Sequence, residues 1–579
     1  MINSLATASE ATLAADICIV GAGAAGLALA AQFLPGPWRV LVLESGLTEP
    51  DSSGEDLNTV SCVGLRHDGW RCGRVRAFGG TTRAWGGQLV PMRSSEAELR
   101  PWVPGSGWPL TVGELQPYYR RVEDLLRTAG PPYDITVWPR LGVPALELDP
   151  AQLRVRFSQW APLGRRNFAV LLRRALARSR HVDVLLDATA VAIHCTADRQ
   201  HCDSVEVCSR SGRRARVRAR WFVIACGGIE TPRLLLASPA PDQRGVANSS
   251  GAVGRYFQDH VSYWAGELEP RVRRYVQDVF DPRYRHGTMY SLKLEPTDEL
   301  MRKEGWLNAM AHIAFQIPDA LGWMEVRRLL RSIQAGRPEL PSLDASLAMA
   351  RGASELSWLL VKRVLAQRRG SPRSGLIRLL VDVEQAPDPN SCVQLDTTVD
   401  AFGMPRVRLN WRVGELERRT LTGFARVVAA ELERLGLGRV HLAGEPDFSS
   451  RETPGAARDI FHHMGTTRMS REPQDGVTRH DLRCHDVDNL FIAGPSVFPT
   501  SGIANPTFTA LALCIRLADH LKVRLRNVMA AAGNDPAEDP TRASVPAQPV
   551  PQGTDTHVAS LARGPASDGS PTAAQSYPS

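Results

Sequence analysis

The feature that most constrains this chain is a strand, a glycine turn and a helix close to its N-terminus. Asp16–Val20 is an apolar segment typical of a buried strand, and the alanine- and leucine-rich segment at about 24–33 is predicted to be a helix. The turn between them carries Gly21, Gly23 and Gly26. Glycine suits these positions because the turn is tight, a phosphate must approach the backbone, and the helix must pack against the strand. The pattern predicts a dinucleotide-binding unit rather than an incidental glycine-rich turn.

An acidic residue ends the second predicted strand of this unit. That strand is Trp38–Leu43, and Glu44 follows it directly. A carboxylate at this position can bind the hydroxyl pair of an adenosine ribose, and it would repel a 2′-phosphate. The N-terminal unit alone therefore leaves both FAD and NAD open as the dinucleotide.

Length and composition predict a large globular enzyme of mixed α/β class. A chain of 579 residues is too long for a single simple hydrophobic core, so two joined domains are expected. Hydrophobic residues make up 43% and charged residues 22%, which argues against a fibre or a disordered chain. The net charge is +8, but the arginines are dispersed, and the most basic run, at 361–369, is interpreted as one face of a solvated helix. No nucleic-acid partner is predicted.

The cysteines and the apolar segments bear on metal binding and location. Ten cysteines are scattered without a CxxC pair or the His/Cys spacing of a zinc site. They are predicted to be free thiols, and no metal site is predicted. The N-terminus lacks the pattern of a secretion signal, and no segment approaches the roughly 20 apolar residues that span a bilayer. These observations predict a cytoplasmic protein without an integral membrane segment.

The order of strands, helices and glycines divides the chain into discontinuous domains. Segments 14–97, 168–259 and 450–525 are rich in glycine-punctuated α/β patterns and are predicted to form one Rossmann-like dinucleotide-binding domain, which is an FAD-binding domain if the dinucleotide is FAD. Segments 98–167 and 260–449 are predicted to form a substrate-binding domain with an antiparallel sheet. The expected fold class is therefore α/β (α+β).

Two further segments complete the predicted organisation. A helical insertion at 297–369 interrupts the alternating strands of the substrate domain and is interpreted as a lid or an interface. From 528 to 579 the composition is dominated by Ala, Pro, Gly, Ser, Thr and Asp, with few large apolar side chains. This composition predicts a disordered tail.

Several glycine-rich segments give the chain a resemblance to one enzyme family. Beyond the N-terminal turn and Glu44, they are Gly-Gly-Thr-Thr-Arg-Ala-Trp-Gly-Gly at 79–87, Gly-Gly-Ile-Glu-Thr-Pro at 227–232, Asn-Ser-Ser-Gly-Ala-Val-Gly-Arg at 248–255, Phe-His-His-Met-Gly-Thr-Thr-Arg-Met at 461–469 and Ser-Gly-Ile-Ala-Asn-Pro-Thr-Phe-Thr at 501–509. Together they resemble the glucose-methanol-choline (GMC) flavin oxidoreductases, in the family's order, over about 15–525. The last two segments are similar to the bacterial branch that includes pyranose oxidase-like enzymes, where a His and an Asn replace the two histidines of other members.

The resemblance implies FAD as the cofactor and a carbinol as the reacting group of the substrate. It leaves the electron acceptor open between oxygen, a quinone and a redox protein. Ala84 takes the position at which some pyranose oxidases attach FAD to a histidine, so dissociable FAD is expected. The residues expected to contact FAD are Gly21, Gly23, Ala24, Ala25, Gly26, Glu44, Ser45, Gly79, Gly80, Thr81, Thr82, Trp85, Gly86, Gly87, Val191, Ala225, Gly227, Gly494, Asn505, Pro506 and Thr507.

Two side chains of the C-terminal segments suit alcohol oxidation. Removal of a hydroxyl proton needs a base, which a histidine offers, and a neutral donor to hold the oxygen, which an amide offers. The resemblance assigns these roles to His462 and Asn505. Each has a structural alternative, because His462 could be a core histidine and Asn505, followed by a proline, could cap a helix at 507–521. His463 and His260 are interpreted as structural residues.

The predicted function is FAD-dependent oxidation of an alcohol to a carbonyl on a sugar or sugar-like natural product. Hydride passes to the flavin, with His462 as the base. Two alternatives stay open: a simple-alcohol or sterol-type dehydrogenase of the same family, and a flavin-containing lyase without net redox chemistry. No motif in 260–450 identifies the substrate, and the sequence leaves the oligomeric state open.

Overall fold

Strands and helices alternate along most of the chain, as a computed structural model shows for residues 1–8, 11–142, 144–316, 323–335, 340–365 and 367–531. The strands are β1 Ile2–Ser4, β2 Thr12–Val20, β3 Val40–Leu43, β4 Val60–Cys62, β5 Gln88–Leu89, β6 Leu153–Trp160, β7 Val182–Leu186, β8 Thr189–Cys195, β9 Cys202–Cys208, β10 Arg214–Ile224, β11 Val261–Pro270, β12 Arg283–Arg285, β13 Thr288–Pro296, β14 Ala309–Phe315, β15 Ile377–Val383, β16 Cys392–Val399, β17 Pro405–Asn410, β18 Gly438–Leu442, β19 Ala457–Asp459 and β20 Leu490–Ile492.

The helices that the structure describes are between one and seven turns long. They are α1 Ala24–Ala31, α2 Ser52–Asp56, α3 Gly69–Cys72, α4 Ser94–Ala97, α5 Val112–Leu126, α6 Trp138–Leu141, α7 Leu163–Arg166, α8 Phe168–Arg178, α9 Gly227–Ala237, α10 Arg273–Phe280, α11 Asp298–Glu304, α12 Trp323–Ala335, α13 Leu343–Arg351, α14 Ala353–Val364, α15 Glu415–Arg434 and α16 Pro506–Ala531.

The first sheet contains the predicted dinucleotide-binding unit. Its strands follow the order β1-β7-β3-β2-β10-β9-β8, with β20 beside β10. Neighbouring strands pair in parallel along β1, β7, β3, β2 and β10, and β20 pairs in parallel with β10. Strands β9 and β8 form an antiparallel edge beside β10. The second half of β2, Ile17–Val20, is fully buried, as expected of a central parallel strand. The carboxyl ends of β2, β3 and β10 therefore meet at one edge, where ligands of open parallel sheets bind.

The second sheet is antiparallel and forms the floor of the predicted substrate domain. Its order is β18-β11-β15-β14-β13-β6-β5, with β12 beside β13 and β19 beside β11. Ser262 of β11 and Met310 of β14 both pair with Asp382 of β15, so the three side chains share one face. Leu294 pairs with Ala311, and the preceding Lys293 therefore lies opposite His312. A third sheet, β16-β17-β4, joins the two predicted domains.

Among its described residues, the predicted helical insertion at 297–369 contains one strand. Helices α11 to α14 lie within it, but β14, Ala309–Phe315, pairs with β13 and β15 in the middle of the second sheet. The alanine-rich sequence of β14 has only a weak intrinsic preference for a strand, and pairing on both sides overrides that preference. Residues 317–322, 336–339 and 366 of the insertion lie outside the described residues.

The structure confirms the predicted fold class and the free thiols. Both a parallel α/β sheet and a large antiparallel sheet are present, and all ten cysteines are unpaired. Helix α16 continues to Ala531, beyond the predicted start of the tail at 528, and residues 532–579 lie outside the described residues. Among the helices that the structure describes, none combines the length and apolar character needed to cross a lipid bilayer.

Candidate active site

The first cavity lies at the carboxyl ends of β2, β3 and β10, and glycines shape it. A β-carbon on Gly26 would lie 1.9 Å from the carbonyl oxygen of Gly21, so Gly26 allows α1 to pack against the turn. Gly23 and Gly227 both line the cavity, and β-carbons on them would meet open space instead of protein atoms. The backbone therefore leaves room for a group that must approach it closely, at the N-terminus of α1.

Glu44 is fixed at the edge of this cavity by backbone donors. The amide of Ala22 donates to Glu44 Oε2 at 2.9 Å, and the amide of Gly46 donates to Oε1 at 2.8 Å. Burial raises the pKa of Glu44, while these two amides and Arg76 oppose that rise. The carboxylate thus holds the glycine turn in place and presents its remaining acceptor capacity to the cavity.

Most of the predicted FAD-contacting residues line one of two neighbouring cavities. Thirteen line the first cavity: Gly21, Gly23, Ala24, Ala25, Glu44, Ser45, Gly80, Thr81, Ala225, Gly227, Gly494, Pro506 and Thr507. Six line the second cavity, and two of these are shared with the first: Thr81, Trp85, Gly86, Gly87, Asn505 and Thr507. Residues from both ends of the chain therefore line these cavities, and their contact with FAD stays a prediction.

Four of the predicted residues line neither cavity. Gly26 allows α1 to pack against the turn. The carbonyl oxygen of Gly79 accepts a hydrogen bond from the hydroxyl of Thr82, and the same hydroxyl accepts one from the amide of Phe168. Val191 lies at a β-bulge, because the register shifts between its two neighbours in β8. The preceding residues of that segment, Ala188, Thr189 and Ala190, line the first cavity in its place.

A buried ion cluster in the first cavity was missed by sequence reasoning. Glu230 forms ion pairs with Arg74 at 2.7 Å, Arg76 at 3.2 Å and Arg233 at 3.1 Å. Burial raises the pKa of Glu230, but the three guanidinium groups outweigh burial and hold that pKa well below its usual range. The run Gly-Arg-Val-Arg at 73–76 was the available signal, since two arginines stand just before a glycine-rich segment.

The structure brings His462 and Asn505 together and adds His260 to them. Asn505 Nδ2 lies 3.4 Å from His462 Nε2, and His260 Nδ1 lies 2.9 Å from His462 Nδ1. The other nitrogen of His260, Nε2, donates to the carbonyl oxygen of Gly502 at 2.7 Å. Asn505 immediately precedes Pro506, the first residue of α16. It therefore holds the helix-capping position and also faces the histidine.

These contacts determine which nitrogen of His462 carries its proton. A carbonyl oxygen only accepts, so the hydrogen of neutral His260 resides on Nε2 and its Nδ1 is a lone pair. His462 Nδ1 must then donate to His260, which leaves His462 Nε2 with its lone pair. The amide of Asn505 faces that lone pair as a donor. The pair is thus arranged as a proton acceptor beside a neutral hydrogen-bond donor, and His260 is a positioning residue that sequence reasoning treated as structural.

One buried carboxylate holds both histidines in place. Asp259 Oδ1 accepts the backbone amides of His260 at 2.7 Å and His462 at 2.8 Å, and Oδ2 accepts from His67 Nε2 at 3.1 Å. Phe461, directly before His462, has a φ of 70°, a left-handed conformation that is uncommon for a non-glycine residue. Such a backbone persists at functional sites when surrounding contacts enforce it. Here those contacts include the bonds to Asp259.

The electrostatic surroundings keep His462 uncharged at neutral pH. Removal from water and the neighbouring His260 lower the pKa of His462 to about 4, against the opposing charges of Asp259 and Asp382. Its neighbour His463 is buried beneath Phe257 and His67, and burial lowers its pKa as well. Of the two cavities, His463 lines only the first, whereas His462 lines both, and the division between a reacting and a packing histidine stays a prediction.

The second cavity lies on the second sheet and shares a wall with the first. Thr81, Phe461, His462 and Thr507 line both cavities. The second cavity has a volume of about 360 Å³, which falls within the range that small-molecule sites occupy. Helix α12 covers its outer side, where Gln334 Nε2 donates to the carbonyl oxygen of Trp85 at 3.0 Å. A part of the predicted insertion thus covers the second cavity.

Glu96 supports the loop that carries Asn505. It is fully buried, and its Oε2 accepts the amides of Ile503 at 2.9 Å and Ala504 at 3.2 Å. Its Oε1 accepts from Arg156 at 2.9 Å. Arg93, three residues before Glu96, also pairs with its Oε1. No sequence pattern marked the support of the Asn505 loop, because Arg156, Ile503 and Ala504 are 60 to 408 residues away from Glu96 in the chain.

Comparisons with known proteins agree with this geometry. Models described as GMC oxidoreductase match residues 162–262 and 387–514. The fructose dehydrogenase large subunit of Gluconobacter japonicus is 23% identical over 589 residues, covering 88% of this chain and 98% of that protein. The paromamine 6'-oxidase of Streptomyces fradiae is 24% identical over 551 residues, covering 87% of this chain and 90% of that enzyme.

A more similar but shorter match and a solved structure extend these comparisons. The C-glycoside 3-oxidase of Arthrobacter globiformis is 35% identical over 337 residues, which cover 56% of this chain and half of that enzyme. A crystal structure of formate oxidase superposes with a TM-score of 0.54 at 17% identity, covering 90% of this chain and all of that one. The structural match supports the fold.

Proposed function

The chain belongs to the GMC oxidoreductase family, and we propose that it oxidises an alcohol of a sugar or sugar-like molecule to the carbonyl. The observation that carries this proposal is the pairing of His462 Nε2 with the amide of Asn505 where the two cavities meet. Enzymes similar in sequence over most of the chain act on fructose and paromamine by name. Their names support a sugar-like substrate.

FAD is the cofactor, and the first cavity fits it. The open space in front of Gly23 and Gly227 admits a pyrophosphate, and Glu44 stands where a ribose hydroxyl pair can be bound. Ala84 lines the second cavity and carries no atom that could form a bond to the flavin, which supports non-covalent binding. When bound, FAD supplies the hydride acceptor.

The protein residues supply proton transfer and orientation. The hydroxyl of the substrate donates to the lone pair on His462 Nε2, while its oxygen accepts from the amide of Asn505. His462 takes the hydroxyl proton, and the hydride of the same carbon would pass to FAD, when FAD is bound, so that the carbonyl forms. His260 holds the Nδ1 proton of His462, so the lone pair of the base stays on Nε2.

The ten free thiols support our further proposal of a reducing, cytoplasmic location.

Anaerobic bleaching tests this proposal against a lyase that keeps its flavin oxidised. Purified yellow enzyme is mixed without oxygen with a panel of pyranoses, aminoglycoside-like sugars and simple alcohols. Sugar oxidation predicts loss of the oxidised flavin spectrum and appearance of a carbonyl product. A flavin that stays oxidised while product forms supports the lyase instead, and bleaching by simple alcohols alone contradicts the assignment to sugars.

The pH dependence of flavin reduction follows from the pKa of His462. The base acts in its neutral form, and its pKa lies at about 4, so protonation removes activity only in acid. The rate of flavin reduction is expected to rise with pH through this value and to stay constant across the neutral range. Stopped-flow reduction at saturating substrate measures the profile. An ascending limb centred near the ordinary histidine pKa of about 6.5 would contradict the assignment.

A further inference from the structure

Two cysteines face each other at one end of the antiparallel edge of the first sheet. Cys195 is the last residue of β8, Cys202 is the first residue of β9, and the two are direct partners in the ladder. Residues directly opposite each other in an antiparallel pair project their side chains from the same face of the sheet. Both thiols therefore lie on one face, and the connection at 196–201 joins their strands.

The backbone hydrogen bonds give this pair the closer of the two spacings that antiparallel strands allow. The amide of Thr196 donates to the carbonyl oxygen of His201 at 2.8 Å, so the neighbouring pair is a hydrogen-bonded one. The amide of Cys202 donates to Asn489 Oδ1 at 2.6 Å, and its carbonyl oxygen accepts from Asn489 Nδ2 at 2.8 Å, so both bond to Asn489 rather than to β8. The α-carbons of a non-hydrogen-bonded pair are about 4.5 Å apart, within the range of about 4.4–6.8 Å that a disulfide spans.

A β-bulge in β9 produces this register. His194 pairs with Ser204, and the next pair is Cys195 with Cys202, so the ladder skips Asp203. A regular ladder would place Cys195 opposite Asp203 and would turn Cys202 to the other face of the sheet. The bulge therefore brings the two thiols together.

The two thiols interact, and their surroundings give them different acidities. A hydrogen bond from the Cys202 thiol lowers the pKa of Cys195, burial opposes this effect, and the charge of Arg199 adds to it. Burial raises the pKa of Cys202, and the hydrogen bond to Cys195 adds to that rise. The thiolate form therefore belongs to Cys195, while Cys202 keeps its proton.

Cys195 is accessible from the surface, whereas Cys202 is buried. Cys195 is half-buried and lines a third cavity, whose wall also includes the exposed residues Thr196, Asp198 and Pro241. This cavity shares no lining residue with the two cavities of the candidate active site. Cys202 is only 3% exposed. A small oxidant in solution can therefore reach Cys195 first, with a second thiol directly beside it.

We propose that Cys195 and Cys202 are a redox-active pair that hydrogen peroxide oxidises to a disulfide. The Cys195 sulfur attacks one oxygen of the peroxide, the O–O bond breaks, and the other oxygen leaves as water with the Cys195 proton. Cys195 is then a sulfenic acid. The Cys202 sulfur attacks the Cys195 sulfur, the S–O bond breaks, and a second water leaves with the Cys202 proton. The two thiols together lose two electrons, and one peroxide is reduced to two waters.

Peptide mapping of the FAD-loaded enzyme tests this proposal. The reduced protein is exposed to a slight excess of hydrogen peroxide, catalase removes the remainder, and free thiols are alkylated after denaturation. Arg199 lies between the two cysteines, so trypsin yields two peptides that only the disulfide joins. We expect mass spectrometry to detect this joined pair, with alkylation of Cys195 and Cys202 lost ahead of the remaining buried cysteines. Fragment ions distinguish Cys202 from Cys208, which lies in the same tryptic peptide.

Variants separate the roles of the two thiols. In Cys202→Ser the sulfenic acid of Cys195 lacks the second thiol, so dimedone should label Cys195 after peroxide treatment. In Cys195→Ser the buried Cys202 should stay reduced and unlabelled. Cys208→Ser is the matched control, because Cys208 lies on the same strand, is also buried, and pairs with Thr189 in the ladder. This control should form the disulfide as wild type does, and retained FAD shows that each variant is folded.

The wild-type experiment decides the proposal even if a variant fails to fold. Peroxide-treated wild type without the joined peptides would overturn it, and so would oxidation of Cys195 to the sulfinic acid while Cys202 stays reduced. Labelling of Cys202 in Cys195→Ser would overturn the assignment of Cys195 as the attacking thiol. These measurements use no alcohol substrate, so their outcome is independent of the proposed sugar oxidation.

Discussion

His462→Ala should lower the rate of flavin reduction by about 10²- to 10⁴-fold, with FAD retained. The change removes the lone pair that receives the hydroxyl proton, and alanine leaves only water in its place. His462 is not required for the glycine cradle that holds the dinucleotide, since Gly21, Gly23 and Glu44 build that cradle from the other end of the chain. Anaerobic stopped-flow spectroscopy measures the rate, and the ratio of absorbance in the visible and ultraviolet measures FAD content.

His441→Ala provides the control for this variant. His441 lies on β18 with a side chain that is 57% exposed, and it pairs with Glu269 at the surface. Its removal should leave flavin reduction unchanged. A near-normal rate in His462→Ala would remove His462 as the base, and a loss of FAD in the same variant would show that it serves the cofactor instead.

Glu96→Ala should lower the free energy of unfolding by about 3–5 kcal/mol, because it breaks a buried ion pair from one side. The change leaves Arg156 charged and without one of its two carboxylate partners, Glu295 being the other. It also leaves the amides of Ile503 and Ala504 without an acceptor. Chemical unfolding followed by tryptophan fluorescence measures the loss. Since Asn505 follows directly, the rate of flavin reduction should fall as well.

Glu98→Ala is the matched control, because Glu98 is exposed just beyond α4. The pH dependence gives a second check. Burial raises the pKa of Glu96, but Arg156, Arg93 and the amide of Ile503 lower it overall to about 2. A lowered folded-state pKa contributes stability above the unfolded pKa of about 4.3, and this stability is lost as pH falls towards the folded value. Wild type should therefore lose this contribution as pH falls from about 4.3 to about 2. Equal stability of Glu96→Ala and Glu98→Ala at neutral pH would contradict the role of Glu96.

Sequence reasoning succeeded where local chemistry dictates the residue. The turn through Gly21, Gly23 and Gly26 needs glycine for steric reasons that act within a few residues, so its pattern predicts its structure. It failed where function depends on contacts between distant segments. His260 and His462 are 202 residues apart, and only the folded sheet reveals that one sets the tautomer of the other. Likewise, neighbouring strands cause the β-bulge at Val191 and the pairing of β14. The sequence of one segment does not predict either feature.

The order of segments in the first sheet has a consequence for synthesis of the protein. β20 pairs with β10, and Gly494, Pro506 and Thr507 complete the cavity that begins at Gly21. A nascent chain lacks this wall until residues 490–507 have left the ribosome. We therefore expect stable capture of the flavin to follow synthesis of this C-terminal segment.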